Sequence, residues 1–283
     1  MLAQTDGVVV PTKPMPTVLG LATDRRLEIR VPARHNTVLQ RVVAEVNSDV
    51  ALYQLWCSAN VNAIARQGMS DHGPVHVQIV ANIALKLFRM IVGAGGVSGV
   101  VRDYGLTLDD AEVVVVLGAL LHDVGMSIHR RDHELFSLIV AQPHLVSLLE
   151  RVYGEPERTA LVSETLHAII AHRAGGYPLT LEAGIVRVAD ALDMSHGRSR
   201  IPYRAGQMNI HSISAAAIER VEIHPGVAKP VQICIVMSNS AGIYQIDELL
   251  RDKLTGSGLE PYVEVEAAIE GETEKKLMDV VRF

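Results

Sequence analysis

Leu121-His122-Asp123-Val124-Gly125 closes an apolar run that begins at Val113. A His-Asp pair beside so many aliphatic side chains is costly to bury unless its imidazole and carboxylate are paired or bind a cation. Imidazole nitrogen with carboxylate oxygen is a donor set for a borderline or hard divalent ion. Residues able to complete such a site recur along the chain. His76 stands with Val80, Ile83 and Leu87 at helical spacing. Asp190 is followed one turn later by Asp193. Eight of the twelve histidines fall between residues 72 and 172, about twice that region's share by length. Singly, His76, His133, His167 and His172 each read as ordinary core histidines. Together with His122-Asp123 and Asp190 they are harder to dismiss, because helices that each bring a donor inward are how metal sites are made in bundle cores.

The elements that must position these residues follow from patterning. Thr37 onward shows helical spacing, with a break at Asn47-Ser48-Asp49 between two helices. Pro74, well placed in a first turn, begins the helix carrying His76. Thr107-Leu-Asp-Asp110 caps the helix running to His122, and length and cap favour helix over strand despite four consecutive valines. Gly125 is expected to end it at a left-handed position. Asp132 to Leu149 reads as one or two helices interrupted near Pro143, Glu157 to Ala171 as another, and Thr180 to Met194 as the last of the block. Beyond Ser195 the character changes: Arg220–Ile223, Val231–Met237, Tyr262–Ile269 and Leu277–Phe283 suit strands, and Ile246 to Leu254 a short helix. The expected fold is therefore mainly α, with a small C-terminal α+β domain. Residues 1–37 form an extended arm, with Thr17–Leu21 and Arg26–Val31 open to a β-hairpin; 38–205 form the helical metal-binding domain, and 206–283 the α+β domain.

Composition narrows the function. A chain of 283 residues, 48% apolar, is long enough for a sizeable core, which at 4% aromatic content must be built from Val, Leu, Ile and Ala. A net charge of -6 disfavours a general nucleic-acid surface while leaving room for a local phosphate pocket. Cys57 and Cys234 form no CxxC motif, so neither a disulfide framework nor a thiolate metal site is expected. The apolar stretches near 91–101 and 113–121 are too short or too Gly-rich to span a bilayer, and the first residues lack a signal peptide's basic start. The expected setting is the cytoplasm, with no membrane partner.

The ordered set His76, His122-Asp123 and Asp190 resembles the HD-domain metal-dependent phosphohydrolase superfamily, whose pattern is a helix His, a later His-Asp pair and a distal Asp. The match runs from about Val38 to Arg204 and implies an HD-type helical bundle in which these four residues bind metal. Arg131-Asp-His-Glu-Leu-Phe-Ser resembles the segment that donates a further ligand in a binuclear subgroup, making His133 the match. Ala171-His172-Arg-Ala-Gly-Gly-Tyr-Pro resembles a shortened HD-GYP signature, making His172 another. His167 is also a candidate, although it lies five residues away, about 140° round a helix. In this resemblance Asp123 is the catalytic carboxylate, bridging two metals. Met126 stands where many HD-GYP proteins have Lys, a departure bearing on cyclic-dinucleotide specificity.

The implied activity is hydrolysis of a small phosphorylated molecule, with a nucleotide among the candidates, by a phosphatase, phosphodiesterase or nucleotidase. The implied cofactor is one or two divalent ions (manganese, iron, magnesium or similar). A bound divalent ion lowers the pKa of water and draws charge from a phosphoryl oxygen. Arg173, Arg198 and Arg200 are the expected phosphate contacts, with Arg187 and Arg204 nearby, since arginine suits bidentate phosphate binding. The alternatives are an HD-fold di-iron oxygenase and a non-catalytic nucleotide-binding sensor. Self-association into a homo-oligomer is a further expectation.

Overall fold

The computed structural model describes residues 27–194, 210–270 and 280–282. Its centre is α5 (Leu108–Leu121), buried on every side from Asp110 onward. A capping box starts it: Thr107 Oγ1 accepts from the Asp110 N–H, and the Asp110 carboxylate accepts from the Thr107 N–H. That cap, with burial of both faces of the valine run, secures a helix where β-branched residues alone would favour a strand.

Helices α1 (Thr37–Ser48) and α2 (Val50–Asn60) precede α5 and meet at Asp49, whose side chain accepts from the Leu52 N–H and caps α2. The lone tryptophan, Trp56, donates its indole N–H to the Leu120 carbonyl at 2.9 Å, fixing α2 against the end of α5. A π-helical turn, Val61–Arg66, carries the chain on. Helix α3 (Pro74–Gly93) brings His76, Val80 and Leu87 onto one buried face. By length and composition α3 is also apolar enough to cross a membrane; here it is an inner helix of the bundle, in contact with α5 and with the later helix over Leu181–Leu192. A short α4 (Gly99–Tyr104), capped by Ser98, follows. Helices α6 (His133–Glu150), α7 (Glu157–Ala171) and α8 (Leu181–Leu192) complete the bundle.

After α9 (Ile210–Ala216), strands β1 (Ile218–Pro225) and β2 (Val231–Met237) pair antiparallel. A helical segment, α10 (243–254), has a π-helical middle, Ile246–Arg251, and an α-helical end, Asp252–Leu254. It is the crossover that parallel pairing of β2 with β3 (Val263–Ile269) requires. Strand β4 (Val280–Arg282) adds antiparallel to β3. The mainly α body and small α+β domain expected from patterning are thus the architecture observed, and the bundle has the form that the HD-domain resemblance implies.

Three local expectations need correction. Residues 27–31 form no hairpin strand: Asn47 takes the place of a partner strand, accepting from the Ile29 N–H at 2.8 Å and donating to its carbonyl at 3.0 Å. Thr17–Leu21 and Arg26 lie outside the described residues. Gly125 does not adopt a left-handed conformation. It is glycine because a Cβ there would collide with the His133 carbonyl and the Ser137 N–H, where α6 begins. Pro143 does not interrupt α6; it lies on the exposed side, where water can satisfy the carbonyl that proline's missing N–H leaves free.

Candidate metal centre

The turn after α5 is held by Ser137, whose hydroxyl donates to the His122 carbonyl at 2.6 Å and accepts from the Gly125 N–H at 2.8 Å. This pins His122-Asp123 against the first turn of α6, and His133 is the first residue of that helix. His76 projects from α3, Asp190 from α8, and His172 caps the C-terminus of α7. Five elements therefore converge on one buried space.

The donor atoms form two groups, His76–His122–Asp123–Asp190 and Asp123–His133–His172, each with its ligand atoms within 4.8 Å of one another. Asp123 belongs to both and divides its oxygens between them. Oδ2 lies 3.4 Å from Nε2 of His76 and of His122, while Oδ1 lies 3.0 Å from His133 Nε2 and 3.7 Å from His172 Nε2. Asp190 Oδ1 is 3.6 Å from His76 Nε2 and 3.5 Å from His122 Nε2. Donors about 2 Å from a shared cation stand about 3 to 4 Å apart, so this spacing fits a metal.

The outer ring nitrogens fit it too. His76 Nδ1 is 2.6 Å from Asp193 Oδ2, His122 Nδ1 2.8 Å from the Ala119 carbonyl, His133 Nδ1 3.0 Å from the Arg130 carbonyl, and His172 Nδ1 2.5 Å from the Ile169 carbonyl. The oxygens beside His76, His122 and His172 accept, so each of those Nδ1 atoms carries a hydrogen and each Nε2 is the nitrogen turned inward, able to bind a cation once it is deprotonated. That is the orientation that outer partners impose on metal-binding histidines.

The family comparison agrees with this geometry. Residues 75–195 match the HD domain model. The chain is 44% identical over 214 residues to the uncharacterized protein MJ1020 of Methanocaldococcus jannaschii, covering 76% of this chain and 83% of that one. The chain belongs to the HD-domain superfamily. It is also 26% identical over 194 residues to Ribonuclease Y of Fervidobacterium nodosum; the match covers 65% of this chain but 32% of that protein.

Electrostatics in this HD centre follow from burial against pairing. Burial alone would push the His122 imidazolium down, but attraction and hydrogen bonding to Asp123, then Asp190, carry its pKa up to about 10. Burial would raise the Asp123 carboxyl, yet His122, with hydrogen bonds from His133 and His172, holds it well below the usual range. Asp190 is likewise held low against burial, chiefly by Lys253 and then His122. His172 goes the other way, its imidazolium disfavoured mainly by burial.

The remaining expected residues separate clearly. His167 joins neither donor group; its Nε2 accepts from the Leu179 N–H at 3.0 Å. Five residues along the helix turn it away from His172. Arg187 is buried, and its guanidinium donates to the carbonyls of Ala171, Arg173, Asp252 and Lys253. It is a tie between elements rather than a free phosphate cation. Arg173 is exposed. Arg198, Arg200 and Arg204 lie outside the described residues.

Four more residues stand beside the two donor groups: Asp71, His72, Asp193 and Lys253. Asp193 orients His76, and its one-turn spacing from Asp190 was the available signal. His72 is buried with Nε2 4.0 Å from Asp123 Oδ2, and Asp71 beside it accepts from the Gly73 N–H where α3 starts. Lys253 reaches in from α10 to Asp190 Oδ2 at 3.1 Å; no local motif points to a residue 63 positions away.

Proposed function

We propose that this HD protein is a metal-dependent phosphohydrolase acting on a small phosphorylated molecule. The observation that carries the reading is Asp123, with one oxygen turned to each donor group, the arrangement of a carboxylate shared by two cations. Divalent cations bound there would supply a Lewis acid for a phosphoryl oxygen and a water acidic enough to attack phosphorus near neutral pH.

The chain's own residues set up that chemistry. Asp193 and the Ala119 and Ile169 carbonyls hold the His76, His122 and His172 rings, so each Nε2 meets a cation by shedding any proton it carries, without rotating the ring. Burial of His76, His122, Asp123, His133 and His172 excludes bulk water and strengthens every charge interaction inside. The Arg130 guanidinium lies against the His133 ring, 2.9 Å from Nδ1, and places a cation at the edge of the second group. Arg173, Arg198 and Arg200 are proposed as phosphate contacts: the first follows His172 directly, and the others follow the end of α8 by a few residues.

The oxygen and nitrogen donors suit manganese, iron or magnesium. The relative's name, Ribonuclease Y, is in keeping with phosphodiester cleavage as a subclass. A net charge of -6 favours a small phosphoester, a nucleotide among them, over a polynucleotide. The cytoplasm remains the proposed compartment, with Cys57 and Cys234 both free.

The test is a phosphoester panel in manganese, iron and magnesium with wild type, His122→Ala and Asp123→Ala. Wild type should release phosphate or cleave a diester, and both variants should lose bound metal and turnover. Oxygen consumption with intact phosphoesters would instead assign the centre to oxygenase chemistry.

A further inference from the structure

The tip of α10 belongs to the α+β domain, yet it touches the centre on two sides. Lys253 Nζ donates to Asp190 Oδ2 at 3.1 Å and also to the His172 carbonyl. Asp190 thus has Oδ2 held by the ammonium while Oδ1 faces the His76 and His122 rings. The His172 carbonyl is one of the unpaired carbonyls at the C-terminus of α7. Its neighbours on both sides, the Ala171 and Arg173 carbonyls, accept from Arg187 Nη1. Arg187 in turn donates through Nε to the Lys253 carbonyl at 2.9 Å and through Nη2 to the Asp252 carbonyl at 3.0 Å. The clasp is reciprocal: an arginine of the bundle grips the α10 backbone, and the lysine of α10 grips the bundle's ligand residues. Two cations at a helix C-terminus are also well placed against its dipole.

We infer that Lys253 is a positioning residue of the metal centre, supplied by the α+β domain, which orients Asp190 and fixes the backbone of His172 so that both donor groups keep their spacing. The inference rests on the metal-binding reading above. Lysine's side chain is only 14% exposed, so its ammonium is committed to these partners rather than to water.

The test is manganese(II) titration of the full chain against a competing chelator, comparing wild type, Lys253→Met and Lys253→Arg. Methionine keeps an unbranched apolar stem and drops the ammonium. It should retain the wild-type far-UV circular dichroism while binding manganese about ten-fold or more weakly, as loss of an outer partner to a ligand does. Arginine restores a cation and should recover most of the affinity, which simple loss of packing would not explain. If Lys253→Met does not fold, Lys253→Gln is titrated in its place. Wild-type binding with unchanged affinity in the uncharged variant overturns the inference alone. A wild-type chain that binds no manganese, iron or magnesium overturns the metal reading and this inference with it.

Discussion

Asp193 contributes no atom to either donor group, yet it sets which nitrogen of His76 can bind a cation. Asp193→Ala should therefore weaken divalent-metal affinity about ten- to a hundred-fold by chelator competition, while His167→Ala, with its ring turned to the Leu179 N–H, should leave metal content unchanged. A second prediction concerns protons. His122 holds its proton up to about pH 10 in the metal-free chain, whereas a metal-bound imidazole must release it. Calorimetric titration near pH 8 in buffers of different ionisation enthalpy should therefore report release of about one proton per chain at the His122 site; an apparent enthalpy that ignores the buffer would contradict this. The inward histidines and aspartates were legible because their side chains are donors in any context and helical spacing put them beside apolar residues. Arg187 and Lys253 were not, because an arginine or lysine reads as solvated until distant backbone carbonyls claim it.

At the scale of elements, the turn after α5 depends on how closely α6 approaches it. Gly125→Ala would set a Cβ against the His133 carbonyl and Ser137 N–H, costing about 1 to 3 kcal/mol of stability and dragging His133 away from Asp123. A lower melting temperature together with weaker metal binding should result; wild-type values for both would contradict the packing account. Pro143→Ala should act oppositely, raising the melting temperature by restoring an N–H to the middle of α6. The helices were readable from periodicity and caps, as Thr107 and Asp110 show for α5. What escaped that reading was decided by contact between elements: Gly125 answers to α6 rather than to its own backbone angle, and residues 27–31 answer to the side chain of Asn47.

At the scale of the whole molecule, the α+β domain is fastened to the bundle at separate points. Lys86 of α3 donates to the Ile223 carbonyl of β1 at 2.7 Å, and Arg187 of α8 binds the carbonyls of Asp252 and Lys253. Gly184 lets the Ser257 carbonyl approach the backbone of α8 where any Cβ would clash. Alternating strands announce such a domain, but pairing across tens of residues is what brings it to Asp190 and His172, and that pairing leaves no local pattern. On the proposed reading, the helices and this domain together hold two cations that share Asp123. Anomalous diffraction from crystals of the manganese-loaded protein tests it most directly. Two peaks about 3.5 to 4 Å apart are expected, one among His76, His122 and Asp190 and the other beside His133 and His172, with Asp123 between them. A single peak that Asp123 does not bridge, or peaks away from these residues, would contradict it.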